Sequence, residues 1–294
     1  MILDILDLSE LDELIQSKGL VYFRLTGGLG NQLFGLSEAY AIHKNVGMNV
    51  AMDIGALEHT SGDEPEWLEW SETQRWLTLV RIPKHVSSKF DLVNLGDVSA
   101  NAAQLDSKFY TGWIFSLDRV NQAGLFHRGE FPFKVSREDC AESAVHYRVG
   151  DYANAKGIGV LDTSYYLEAI KSLDPRDRTL FFSDDNYSAQ EMIKTLNHSF
   201  ATVSSSTSAL EVLSQIAHSK SIVAANSTLS WWAIYFSHAS KVICPTPFYL
   251  QDWKFDSAAR FQDAIYISRF KNPFQKMLTW TLWQLRSIRI GDKF

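Results

Sequence analysis

From residue 144 onward, short apolar runs alternate with helical patterns, and this rhythm limits the fold more than any other feature of the chain. Ala144–Tyr147, Thr179–Phe182, Ala201–Val203, Ser221–Ala225 and Lys241–Cys244 read as strands, with helices near 163–173, 188–197, 207–219 and 227–237. The strands are apolar on consecutive residues, not on alternate ones, so both of their faces must be covered. That pattern predicts a parallel sheet with helices on either side, a doubly wound α/β domain.

A second unit is expected before it. The chain has 294 residues, enough for two domains, and 46% hydrophobic with 21% charged residues is ordinary globular usage, which excludes disordered or collagen-like classes. Ile5, Leu8, Leu11, Leu14 and Ile15 fall at helical spacing and Gly19 reads as a stop, so residues 1–19 predict a short amphipathic helix. Leu20–Leu25 is β-rich, Thr26–Gly30 is a glycine turn, and Asn31–Lys44 carries a helical apolar stripe: strand, tight turn, helix. Residues 55–75 are acidic and rich in Trp, and periodicity is poor to about 130, which predicts a peripheral, loop-rich part of this first domain. No internal repeat or low-complexity segment is present.

Charge narrows the partners. With 28 Lys and Arg against 34 Asp and Glu, the net charge is −6, so the chain as a whole has no polycationic character with which to bind nucleic acid by counterion release. Any anion must be held locally. Cys140 and Cys244 make neither a disulfide framework nor a four-ligand zinc site. The N-terminus is acidic where a signal peptide is basic, and no apolar run approaches the ~18 residues of a membrane span, so the expected location is cytoplasmic. The last 26 residues, by contrast, carry +5 through Arg269, Lys271, Lys276, Arg286, Arg289 and Lys293 against Asp292. Phe274, Met277, Leu278, Leu282, Leu285 and Ile288 give this tail a helical stripe with Trp280 and Trp283 nearby. It reads as a C-terminal helix docked on the body with its basic residues in water or, alternatively, as an interfacial helix in peripheral contact with a membrane through 271–293.

Four segments carry the chemistry. Gly27-Gly28-Leu29-Gly30-Asn31 lies between a strand and a helix, where backbone N–H groups and the positive helix end form an anion site or admit a ligand close to the main chain. The dinucleotide fingerprint is absent, because Leu33 stands where its third glycine belongs. His146 to Tyr152 follows the first strand of the second domain, so Arg148 and Asp151 leave the sheet at its carboxyl edge, where open α/β sheets bind ligands. Arg148 offers a planar fork suited to a diphosphate. The plain alternative is a core histidine at His146 and a simple Arg148–Asp151 ion pair.

Ser183, Asp184 and Asp185 end the next strand, and adjacent carboxylates can hold a metal or hydrogen-bond a ribose or base; Asp184 to Asn186 also suit a helix N-cap. The D-x-D triplet that many sugar transferases use to grip a metal-bound diphosphate is missing, so no metal is expected. Asn226, Ser227 and Thr228 close an apolar strand and open a helix, with Asn226 as cap and phosphate as the natural guest.

In order and spacing these segments resemble the α-1,2-fucosyltransferases of glycosyltransferase family 11, many of them bacterial enzymes of surface polysaccharide and O-antigen assembly. Those enzymes carry G-G-L-G-N-Q-[LM]-F, matched by Gly27 to Phe34, then H-x-R-x-G-D-Y (His146 to Tyr152), F-S-D-D (Phe182 to Asp185) and N-S-[ST]-[FL]-S-W-W (Asn226 to Trp232). The resemblance spans about residues 20–250. It implies an α/β, GT-B-like architecture of two Rossmann-like domains facing across a cleft. We divide the chain into an acceptor-side domain at 1–140, a GDP-sugar-binding domain at 141–268 and a basic amphipathic helix at 269–294.

The resemblance also implies site roles. His146 would contact the guanine nucleotide, Arg148 the β-phosphate, and Ser227 and Thr228 the diphosphate, with Ser183, Asp184, Asp185, Asn226 and the amides of Gly28 and Gly30 in the same donor-binding set. Glu211 stands where relatives often have an Asp that recognises guanine. Val149 and Tyr187 replace a second arginine and an aromatic that is often Trp. The expected reaction is inverting, metal-independent transfer of L-fucose from GDP-β-L-fucose to the 2-OH of a β-galactoside glycan acceptor, without a cofactor. Arg148 would stabilise the leaving group, Asp151 would act as general base and Asn31 would position the acceptor. The alternatives are a transferase of another GDP-deoxyhexose, or a non-catalytic nucleotide-sugar-binding scaffold in polysaccharide assembly.

Overall fold

A computed structural model describes residues 2–5, 7–57, 65–68, 70, 73–83, 92–95, 109–112, 115–135, 140–155, 158–249 and 258–270. The chain divides into two units, Met1–Val135 and Ser136–Phe294, each built on a six-stranded sheet in which every pairing is parallel. The expected pair of doubly wound α/β units is therefore present. The basic segment 271–293 and the acidic residues Glu58, Asp63, Glu64, Glu69 and Glu72 lie outside the described residues. No helix among the described residues is long and apolar enough to cross a membrane.

The second unit follows the sequence rhythm closely. Its elements are β7 (Ser143–Tyr147), α4 (Thr163–Ile170), β8 (Thr179–Ser183), α5 (Asn186–Leu196), β9 (Ala201–Val203), α6 (Ala209–Ala217), β10 (Ser221–Val223), α7 (Thr228–Phe236), β11 (Lys241–Thr246) and β12 (Ile265–Ser268). β12 is an additional edge strand that the sequence reading lacks. It pairs with β11 from Ile243↔Ile265 to Thr246↔Ser268. The strand order β12-β11-β10-β7-β8-β9 is that of a dinucleotide-type doubly wound sheet. Successive strands run outward in one direction from β7 and in the other from β10, so the order reverses between β7 and β10.

Both faces are buried, as consecutive apolar residues require. Val145 and Tyr147 of β7, Phe181, Val223 and Ile243 pack with Tyr165, Tyr166 and Met192 of the covering helices. His146, one residue along β7, bonds Ser230 of α7. Trp231 and Trp232 of α7 are 2% and 0% exposed, which explains why this helix shows no polar stripe.

The first unit contains β1 (Ile2–Asp4), α1 (Leu8–Lys18), β2 (Leu20–Arg24), α2 (Leu29–Val46), β3 (Asn49–Asp53), β4 (Leu77–Arg81), β5 (Val93–Asn94), β6 (Phe109–Thr111) and α3 (Leu117–Ala123), in strand order β1-β4-β3-β2-β6-β5. Two sequence expectations are corrected here. Residues 2–4 are not helical: they form an edge strand paired to β4, Ile2↔Leu79, and the helix begins at Leu8 with Asp7 as its cap. The stretch read as peripheral loop supplies three strands, among them β4, which is hydrogen-bonded between β3 and β1. α1 lays Leu11 and Ile15 onto Leu20, Tyr22 and Val80, and stops at Gly19 in the left-handed region, φ 59°. Glu38 of α2 is buried and paired bidentately with Arg119 of α3 at 2.8 to 3.1 Å, which ties the two helices together.

Candidate functional site

In the second unit, the reversal of strand order brings two sequence-distant segments side by side. β7 lies between β10 and β8, so the residues following β7 and those following β10 share the crevice at the carboxyl edge, the usual ligand position in such sheets. Arg148 is the first residue beyond β7 and Ser227 caps α7.

The Arg148 guanidinium is held between two carboxylates. Its Nη2 lies 2.7 Å from Asp151 Oδ1 and its Nη1 3.2 Å from Asp184 Oδ2. It also sits over the Tyr152 ring, 5.2 Å from the centroid. Its Nε is buried and makes no hydrogen bond with the described residues. Asp184 Oδ1 accepts the Val149 N–H at 2.9 Å, and a Cβ at Gly150 would collide with the same carboxylate and displace it. The Tyr152 hydroxyl is hydrogen-bonded to Ser227, and burial pushes its pKa up, so it remains a phenol. Arg148 and the start of α7 are therefore joined through one tyrosine.

At that start, Ser227 Oγ accepts the Leu229 N–H at 3.2 Å, Thr228 is the first helical residue, and the positive helix end faces the carboxyl edge. The expected cap is corrected by one residue. Asn226 is fully buried and does not cap; its Nδ2 donates to the carbonyls of Ile158 (3.2 Å) and Gly159 (2.9 Å), while its Oδ1 makes no hydrogen bond with the described residues. Arg269 is also corrected: it is 5% exposed and not part of a solvated tail. Its guanidinium donates to the same two carbonyls at 2.9 and 3.0 Å and to Phe248 O at 3.1 Å. Charge alone placed Arg269 with the basic tail; only its position after β12 shows that it braces the loop beside α7.

His146 is buried, with Nδ1 2.6 Å from Ser230 Oγ, which also accepts the Ala225 N–H at 3.0 Å. Burial first, and Arg148 second, push its pKa down to about 3, so the imidazole is neutral. The adjacent acids after β8 have separate tasks. Asp185 caps α5, accepting Ser188 N–H and Oγ–H at 3.0 and 2.7 Å, which hold its carboxyl below the usual range. Asp184 turns to Arg148, and Ser183 Oγ accepts the Asp185 N–H at 3.1 Å. Glu211 is exposed in the first turn of α6, where Ser208 accepts its N–H at 3.2 Å. No three His, Cys, Asp or Glu side chains gather among the described residues.

In the first unit, Gly28 is the extended N-cap residue of α2, and Gly30 and the half-buried Asn31 lie in its first turn. Gly27 adopts φ 80°, and a Cβ there would meet Asn31 Nδ2 at 2.5 Å. Gln32 Nε2 donates to Gly27 O at 3.0 Å and Trp67 Nε1 to Gln32 Oε1 at 2.9 Å, so the turn is anchored from inside. The sequence reading misses Asp53 at the end of β3. It is fully buried and accepts from Tyr22 Oη at 2.6 Å, Gly55 N at 2.8 Å and Ile82 N at 3.2 Å. It also misses Tyr152 as a site residue, although the tyrosine ends the H-x-R-x-G-D-Y segment.

Among solved structures, the chain is similar to E. coli heptosyltransferase WaaC with ADP, with TM-score 0.48, 12% identity and coverage of 91% of this chain and 99% of that one. It is also similar to the selenomethionine form of fucosyltransferase NodZ from Bradyrhizobium, with TM-score 0.46, 10% identity and coverage of 74% and 92%. No curated protein matches in sequence. The family model described as Glycosyl transferase family 11 matches residues 120–268, just over half of the chain. That span contains the Arg148, Asp184 and Ser227 segments but not the Gly27–Phe34 turn. The residues that meet at the carboxyl edge of the second sheet thus lie within the matched span, and the chain belongs to glycosyl transferase family 11.

Proposed function

We propose that this glycosyltransferase moves L-fucose from GDP-β-L-fucose to the 2-OH of a β-galactoside glycan acceptor, with inversion and without a metal. The observation that carries the reading is the meeting of Arg148 with the N-terminus of α7 through Tyr152, at the reversal of strand order. A guanidinium and a helix end together suit the two phosphates of a nucleoside diphosphate. Family membership supplies glycosyl transfer; the sequence motifs supply the choice of GDP-fucose.

In this mechanism the acceptor oxygen bonds the anomeric carbon on the face opposite the diphosphate. The bond from that carbon to the phosphate oxygen breaks, and GDP leaves with the electron pair, which converts a β-linked donor into an α-fucoside. Arg148 and the Ser227 and Thr228 end of α7 stabilise the charge that develops on GDP. Asp151 takes the acceptor proton. His146, neutral and bonded to Ser230, supports the nucleotide side of the pocket without adding charge. A second reading, another GDP-deoxyhexose as donor, is favoured by Glu211 and Val149, which differ from the family pattern next to the nucleotide.

The test is incubation with GDP-fucose and β-galactosides, read by mass spectrometry with and without EDTA. Transfer that persists in EDTA is expected; activity lost in EDTA and restored by manganese would refute the metal-free mechanism, and binding without turnover would favour a scaffold. Arg148→Ala should lower kcat by about 10² to 10³, the usual loss on removing one preorganised donor to a developing oxyanion. A variant retaining more than about a tenth of the activity would remove Arg148 from that role. Peripheral membrane contact through 271–293 is the alternative to a helix docked on the body, and co-sedimentation of the full chain with phosphatidylserine vesicles in low salt separates the two.

A further inference from the structure

We propose that Asp184 is the positioning residue of Arg148 and stays with it through the reaction, while Asp151 is the carboxylate that an incoming diphosphate displaces. This rests on Arg148 being the diphosphate ligand of the proposed function. It gives Asp184 a task different from contact with a ribose, a base or a metal.

The two carboxylates that flank the guanidinium are not equivalent. Asp151 is 68% exposed and reaches Arg148 through Nη2 alone, from a neighbouring turn of the same loop. An exposed ion pair of this kind is weak and easily exchanged for another anion. Asp184 is 22% exposed and is held at two points, the Val149 N–H on Oδ1 and Arg148 Nη1 on Oδ2, and its carboxylate occupies the space that a Cβ on Gly150 would take. It comes from a different strand end, β8, which is hydrogen-bonded to β7 along its length, Tyr147↔Ser183 included. Asp184 therefore fixes both the loop that carries Arg148 and one edge of the guanidinium. The other edge, Nη2, is left for exchange.

Two consequences follow. A diphosphate oxygen that takes Nη2 also releases the Asp151 carboxylate, so donor arrival and availability of the proposed base are coupled in one step. Asp184, although acidic, does not repel the donor decisively, because its charge remains paired with Nη1. Each consequence separates Asp184 from a direct donor ligand.

The experiment compares wild-type enzyme, Asp184→Asn, Gly150→Ala, Asp151→Asn and Arg148→Ala with Asp184→Asn added to it, after thermal melts have established folding. Asp184→Asn should lower kcat by about ten- to a hundredfold, as misplacement of a reacting group does, with the KM for GDP-fucose within about threefold of wild type. Gly150→Ala should act in the same direction, since it pushes the carboxylate aside while leaving its charge, and it carries the test if Asp184→Asn does not fold. On the Arg148→Ala background, Asp184→Asn should cost less than about twofold more, because it acts through Arg148. Calorimetric titration with GDP should show Asp151→Asn binding as tightly as wild type or more tightly.

A raised KM with unchanged kcat in Asp184→Asn would make it a donor contact and overturn the proposal. So would an equal loss on the Arg148→Ala background, which is what a merely structural residue gives, or weakened GDP binding in Asp151→Asn. Wild-type enzyme that binds no GDP and turns over no GDP-sugar would remove the donor reading and this role with it. A fully active Asp184→Asn would remove this role alone.

Discussion

The carboxyl edges of the two sheets are built alike and finished differently. In the first unit the acid at a strand end, Asp53, is fully buried and meets Tyr22, two backbone N–H groups and, at 4.0 Å, the Arg24 guanidinium; burial pushes its pKa up while these partners pull it back down. In the second unit the acids at the strand ends are partly or largely exposed and hold a cation, Arg148, that is itself 32% exposed. At Asp53 the edge is closed on itself; at Arg148 it leaves paired charged groups partly exposed, which the proposed function requires. The same topology therefore yields a structural edge or a chemical one, according to whether its polar groups are satisfied from within.

This contrast can be broken at either end. The largest effect should come from Asp53→Ala, which strands the Tyr22 hydroxyl and two buried N–H groups and should cost about 3 kcal/mol or more, read as a shift in the denaturant midpoint. Arg148→Ala should do the reverse, with the rate loss given above and a stability change within about 1 kcal/mol. If it unfolded the protein instead, the edge would be structural like its counterpart.

The next effect is a pH slope from His146. Its folded pKa, about 3, lies below the ordinary 6.5, so between these values the unfolded chain binds a proton that the folded chain does not. Stability is complete above pH 6.5 and falls with acidification toward 3, by up to about 1.4 kcal/mol per pH unit. His146→Gln, titrated by thermal melts over that window, should be flatter than wild type; an unchanged slope would mean that His146 is not the group responsible. The smallest effect should be Gly27→Ala, about 1 to 2 kcal/mol for a side chain forced to positive φ against Asn31.

The same contrast explains what could be read from the sequence. β7, β8, β9 and the helices after them are legible because each is a continuous apolar run or a capped helix whose signal is local. β4 and β1 are not. Leu77–Arg81 follows an acidic, Trp-rich stretch, and Ile2–Asp4 is three residues long, too short to separate a period of two from one of 3.6. Their strand state comes from pairing across the sheet, β1 with β4, 77 residues apart at Ile2↔Leu79, and β4 with β3, contacts no window can see. Site residues divide in the same way. Arg148, Ser227 and Asp184 stand at strand ends that the pattern marks, whereas Asn226 as a brace, Arg269 as a buried cation and Asp53 as a satisfied acid depend on neighbours far along the chain.

The sequence by itself determined the second unit as parallel α/β, the strand, glycine turn and helix near the start of the first, and the presence of a cation beyond one strand and a capped helix beyond another, because periodicity, glycine and capping chemistry act over a few residues. Only the tertiary structure decided which two carboxylates meet that cation, that Ser227 and not Asn226 caps α7, and that Arg269 belongs to the body. Those outcomes depend on how desolvated groups find partners, and burial assigns partners by position in space, not by order along the chain.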